Sequence, residues 1–286
     1  MQNSKLFFSA AVAFSALLGI GAASAADLPV KALPPVVPIF NWTGFYIGGN
    51  VGGEWGHYND PFAVGGTTAF GVTVLPGTVP LASNNNSFTG GGQIGYRWQQ
   101  PGSQWVAGVE ADFNWVDLKT TQTLTAAQLS PATSGVFIAG DSLSAKTNFQ
   151  SSIRGNLGLT FDRLLWYVTA GVAFANTQAS ANFIAVTAGR IAFPASSGSQ
   201  TNTLVGGTIG TGLTYAVDKN WDIGGEYRFT SYGASDFGLG SVAAIGTAGG
   251  VFAPVPASTH LNLTTNEVRF KVNYRFDWAT PVVAKY

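Results

Sequence analysis

Cysteine is absent from the 286 residues, so no disulfide holds this chain together. An exported soluble domain often carries disulfides, whereas a barrel closes its own backbone hydrogen bonds and needs none. Charge is also scarce. Asp, Glu, Lys and Arg make up 10% of the chain, against about 25% in soluble domains. The 14 basic and 14 acidic residues balance at neutral pH and form no basic run, which argues against nucleic acid as a partner. Histidine is confined to His57 and His260, without the clustered ligand spacing that a metal site requires, so no metal is expected. Long apolar runs are missing except for Leu6 to Ile20. Preceded by Lys5 and followed by Ala23-Ser24-Ala25, that run is too short to span a membrane as a helix. It reads as a secretory signal over residues 1–25, cleaved after Ala25.

What the chain has instead is rhythm. Residues 26–41 form a Pro-rich leader (Pro29, Pro34, Pro35, Pro38), extended and unable to join a central strand, and read as periplasmic. From residue 42 to 286, eight alternating stretches follow, each long enough to cross a bilayer as a tilted strand but not as a helix. They are Gly44–Trp55, Phe88–Trp98, Gln104–Trp115, Asn148–Phe161, Leu164–Ala175, Asn202–Val217, Asn220–Ser231 and Thr264–Phe276. Tight turns are expected at Gln99–Gly102, Asp162-Arg163 and Asp218-Lys219. Long loops are expected at about 56–87, 116–147, 176–201 and 232–263, all rich in small and polar residues. The fold class this implies is all-β: an eight-stranded antiparallel transmembrane β-barrel with four long extracellular loops and three short periplasmic turns.

Aromatic placement agrees with two membrane interfaces. Trp98, Trp105, Trp166, Trp221 and Phe276 flank the short turns or the end of the last stretch, while Trp55 and Trp115 flank the long loops. Strand parity sets the facing. Phe45, Ile47, Val51 and Trp55 share one face of the first stretch; Tyr46, Asn50 and Glu54 share the other. A charge facing lipid at mid-bilayer costs about 2–4 kcal/mol, so the charged face must turn inward. That places Glu54, Glu110, Asp112, Asp222, Glu226 and Glu267 in the lumen with Arg97, Arg154, Arg228, Arg269, Lys271 and Arg275, six against six. Two ion-pair clusters are expected, Glu110/Asp112 with Arg154 and Glu226 with Arg269/Lys271. Inward glycines (Gly48, Gly52, Gly108, Gly158, Gly171, Gly210, Gly224) are expected to leave free volume among them.

The stretch Asn41-Trp42-Thr43-Gly44-Phe45-Tyr46-Ile47-Gly48-Gly49-Asn50-Val51-Gly52-Gly53 resembles the opening strand of the alphaproteobacterial porin-like outer-membrane proteins. These are barrels similar to the transmembrane domain of OmpA and to opacity proteins. Val272-Asn273-Tyr274-Arg275-Phe276 resembles their closing strand. The resemblance implies an envelope-structural or surface-exposed protein with no catalytic residues and no cofactor. It also implies lipids such as lipopolysaccharide, the barrel-assembly machinery and extracellular loop ligands as partners. Either Phe276 or the terminal Tyr286 could serve as the aromatic that the assembly machinery reads.

Other motifs carry less. Gly90-Gly91-Gly92-Gln93-Ile94-Gly95 has dinucleotide-fingerprint spacing but lacks the following helix. Ser87 or Ser258 beside a histidine would suggest a lipid-modifying enzyme, without any nucleophile motif to support it. Three functional readings follow in order: a structural and surface-presenting barrel, a narrow diffusion porin, and a lipid-modifying enzyme. An eight-stranded lumen is about wide enough for side chains to fill, which favours the first.

Overall fold

The computed structural model describes residues 40–64, 67–69, 72–74, 77–125, 139–188, 191–242, 245–246 and 255–276. The expected signal over 1–25, most of the leader, and Tyr286 lie outside these residues.

Eight long strands close a barrel: β1 Gly44–Val64, β2 Gly77–Gln99, β3 Trp105–Thr123, β4 Ser142–Phe161, β5 Leu164–Phe183, β6 Ser196–Ala216, β7 Trp221–Val242 and β8 Val255–Arg275. Each pairs antiparallel with its sequence neighbours. β1 closes on β8 from Tyr46↔Arg275 to Val64↔Ala257, so the ring has no free edge. The stagger is large. From Tyr46 the paired residues run Gly95, Glu110, Arg154, Gly171, Thr208, Thr230 and Thr265, and return to β1 at Gly56, ten residues further on. Such a shear tilts every strand against the barrel axis.

The turn ends follow the sequence reading closely. Asp162 adopts a left-handed φ of 56°, a conformation that Asp tolerates better than most residues, and so reverses the chain in two residues. At the next turn the Asp218 carboxylate accepts the amides of Asn220 and Trp221, each at 2.7 Å. Those two donors hold its pKa below the ordinary aspartate value.

The loop ends differ from expectation. Parts of all four segments read as loops are strand: β1 runs on to Val64, β3 to Thr123, β5 to Phe183 and β7 to Val242, and their partners begin correspondingly early. The reason is an inversion of chemistry along an unbroken alternation. On β3 the outward residues are Trp105, Val109, Phe113 and Trp115, then Asp117, Lys119 and Thr121. The inward residues are Glu110, Asp112 and Asn114, then Val116 and Leu118. Below Trp115 the wall is apolar outside and polar inside; above it the order reverses, as in a soluble protein. β5 repeats the switch, from outward Val172 and Phe174 to Asn176 and Gln178, over inward Ala173, Ala175, Ala179 and Ala181. Register shifts at Trp115/Leu118 and Thr147/Phe149 accompany the change, and one at Tyr232/Ser235 lies nearby on β7. Bulges of this kind sharpen the local twist.

Trp105 and Trp115 stand ten residues apart on one face of β3. At about 3.4 Å per residue and a tilt of about 40° that is roughly 26 Å of height, the thickness of an outer-membrane apolar band. Trp55, Trp98, Trp166, Trp221 and Phe276 are also exposed on the outer wall.

Candidate functional site

The barrel interior is filled in three layers. At the turn end, Trp42, Val106, Leu165, Tyr167 and Ala216 form an apolar floor, with Phe40 against it. Trp42, just before β1, is fully buried and anchored by its backbone amide to Gln99 Oε1 (2.9 Å) and by its indole to Thr160 Oγ1 (3.2 Å). At the loop end a second apolar core gathers Tyr58, Leu118, Leu124, Leu143, Leu204, Phe237, Leu261 and Leu263 with a set of alanines.

Between them lie the charges, and the structure places all twelve sequence-selected residues in the interior at 4% exposure or less. Arg154 reaches Glu110 Oε1 through Nη2 and Glu226 Oε1 through Nη1, both at 2.5 Å, and lies 3.1 Å from Asp112. Lys271 Nζ bridges the same two glutamates at 2.7 and 3.1 Å. Arg228 joins Asp112 (3.2 Å) to Glu267 (2.5 Å), and Arg269 joins Glu267 (3.1 Å) to Glu226 (3.6 Å). The two expected clusters are therefore one network of four acids and four bases, because Arg154 spans both. Its neutrality matters: ions taken from water are tolerated only when each has close partners of opposite sign.

Four of the twelve lie outside that network. Arg97 pairs with Asp222 at 2.9 Å near the floor, and its guanidinium stacks over the Tyr46 ring at 4.3 Å. Glu54 accepts a hydrogen bond from Gln150 (2.8 Å) and sits opposite Glu267 across β1 and β8; among the described residues no cation pairs with it. Arg275 lies over Phe40 at 4.6 Å and donates to the Lys219 carbonyl.

The inward glycines do not leave free volume. A Cβ on Gly108, Gly158, Gly210 or Gly224 would lie 2.5 to 2.7 Å from a carbonyl oxygen of the adjacent strand, and Gly48, Gly52 and Gly171 are closer still. They permit close strand approach in a strongly sheared wall. A cavity bounded by Arg97, Val106, Glu110, Asn156, Leu165 and Tyr167 has a volume of about 10 Å³, room for about one water molecule.

The residues weighed for other chemistry are placed differently. Ser87 Oγ donates to the Phe88 carbonyl and accepts the Asp117 amide, each at 2.9 Å. His57 faces Asn84, and His260 faces Asp236 at 2.8 Å on the outer surface. Gly90 to Gly95 lie within β2.

The model for the outer membrane protein beta-barrel domain matches residues 13–276. The chain belongs to that outer-membrane β-barrel family. Among curated relatives, the 31 kDa outer-membrane immunogenic protein of Brucella melitensis is 30% identical over 216 residues, 74% of this chain and 81% of the relative. The 22 kDa outer membrane protein of Rhizobium leguminosarum is 29% identical, covering 72% of each chain. The crystal structure of Neisserial surface protein A aligns at 15% identity and a TM-score of 0.34, covering 82% of this chain and 98% of that one. In a barrel of this family the short turns face the periplasm and the long connections face outward.

One feature of this barrel escaped the sequence reading. Tyr46, Gly95, Glu110 and Arg154 stand side by side on β1 to β4; Tyr167, Gly212, Glu226 and Arg269 do so on β5 to β8. In each half the tyrosine crosses the glycine, and its hydroxyl donates to the glutamate at 2.7 Å. The sequence carries the signal. Trp105-x-x-Gly108-x-Glu110-x-x-Phe113 matches Trp221-x-x-Gly224-x-Glu226-x-x-Phe229, and Arg154 and Arg269 each precede Phe-Asp by seven residues. The halves repeat.

Proposed function

We propose that this protein is a sealed envelope barrel whose work is to brace the outer membrane and present its loops at the cell surface. The observation that carries the reading is the stacking of three filled layers along the lumen: aromatic floor, neutral ion network, apolar upper core. A diffusion porin needs a continuous wet path, and each layer opposes one. The name of the Brucella relative, an outer-membrane immunogenic protein, supports presentation at the surface. Export through a signal over residues 1–25 and insertion by the barrel-assembly machinery, reading an aromatic such as Phe276 at the end of β8, complete the proposal.

Planar-bilayer recording from purified mature protein tests it. The expected result is no steady single-channel conductance; a large and stable one would promote the porin reading. N-terminal sequencing of protein from outer membranes should begin at Ala26.

A further inference from the structure

Six of the described lysines and arginines point into the lumen, and Arg163 and Lys219 sit in periplasmic turns. Two others, Lys119 and Lys146, both face outward on the loop side, and they are directly opposed across β3 and β4. Like charges in that relation repel. They stand just above Trp115 and Phe149, which are themselves paired and mark the outer edge of the apolar band. Asp117, on the same face, lies 3.5 Å from Lys146 and offsets one of the two charges. Among the described outward residues of β3 and β4 above Trp115, two ammonium groups therefore stand against one carboxylate.

Below this pair the outer wall is hollowed. Gly49 on β1 and Gly90 and Gly92 on β2 face lipid, and nothing in the protein requires glycine there: a Cβ would meet its nearest neighbour at 3.6 to 3.8 Å. These glycines floor a groove walled by Trp115 and Phe113, which runs from beside Asp117 down to Ile94. The groove opens beside Asp117, with Lys146 3.5 Å from that carboxylate and Lys119 two residues beyond Asp117 on β3. A narrow apolar channel below two ammonium groups matches a phosphorylated lipid: acyl chain in the groove, phosphate on the ammonium groups.

We propose that Lys119 and Lys146 bind the phosphate of an outer-leaflet phosphorylated glycolipid, chemically a lipopolysaccharide, with one acyl chain lying over Gly90 and Gly92 beneath Trp115. The site is independent of what the loops present.

The full mature protein in phosphatidylcholine nanodiscs can be titrated with bisphosphorylated lipid A, with the same lipid dephosphorylated, and with inorganic phosphate. Lys119→Gln and Lys146→Gln should each weaken lipid A binding about five-fold, and the double variant about 25-fold. Removing the lipid's phosphates should cost the wild type a similar factor and the double variant little. Gly92→Leu, which fills the groove without touching the lysines, should weaken lipid A binding while both lysines remain. Because both lysines are on the surface, retention of the heat-modifiable band on electrophoresis verifies folding of each variant. Equal binding by the double variant and wild type overturns the proposal, as does equal binding of phosphorylated and dephosphorylated lipid. Inorganic phosphate bound as tightly as lipid A would rule out the acyl-chain groove.

Discussion

Glu110 and Glu226 stand on opposite walls of the barrel, four strands apart, and hold the same two cations between them. Arg154 contacts both at 2.5 Å, and Lys271 contacts both at 2.7 and 3.1 Å. Each glutamate also accepts a tyrosine hydroxyl. The barrel is thus cross-braced at mid-membrane by a knot that ties β3, β4, β7 and β8, in addition to the ladder around its wall.

Arg154→Ala should lower stability by about 3–5 kcal/mol, because it strands buried carboxylates rather than merely deleting a contact. Urea unfolding in detergent micelles, followed by tryptophan fluorescence, measures this. An unchanged midpoint would mean that water, not Arg154, solvates Glu110 and Glu226.

Height along one face should decide the cost of a charge. Val109→Arg places a cation in the apolar band and should cost about 2–4 kcal/mol. Thr121→Arg, on the same face of the same strand but above Trp115, should stay within about 0.5 kcal/mol of wild type. Equal costs would contradict the assigned membrane boundary.

Gly95→Ala should be destabilising by about 1–3 kcal/mol, since a methyl there collides with the Tyr46 ring and the Val109 carbonyl. Gly92→Ala, where the nearest atom is 3.6 Å away, should be close to neutral. Refolding yield into vesicles and unfolding midpoints compare the two. A benign Gly95→Ala would mean that Tyr46 does not need to lie flat across β2.

Cysteines at Thr121 and Ser197 should react with an impermeant maleimide on intact cells, whereas cysteines at Gly102 and Lys219 should not. Labelling of Gly102 or Lys219 alone would invert the orientation.

The membrane-embedded half of the barrel was legible because lipid punishes the wrong face so heavily that Val109 and Glu110 declare their sides by type. Turn ends were legible for a related reason: Asp162 and Asp218 are residues whose side chains and backbone preferences make reversals. The upper half was not. Segments such as Thr120-Thr121-Gln122 and Ser180-Ala181-Asn182 have the small polar composition of loops, and their inward Ala and Leu residues mean core only once the barrel beneath fixes their phase. The single ion network was likewise hidden, since side-chain reach across the lumen is not encoded in strand spacing. Gly171 and Gly210 misled in a different way: a missing side chain reads as empty space until the neighbouring backbone is seen to occupy it.

The dry upper core has a mechanical consequence. From Phe174 at the outer interface, β5 continues nine residues to Phe183, about 30 Å of paired strand at the usual rise. Its neighbours climb with it around a packed interior, so the barrel ends in a stiff pedestal rather than in slack tethers. Strand ends such as Phe183 are thereby lifted clear of the lipid headgroups. On the surface-presenting role proposed above, a macromolecule reaching for these strand ends would meet protein without having to approach the bilayer.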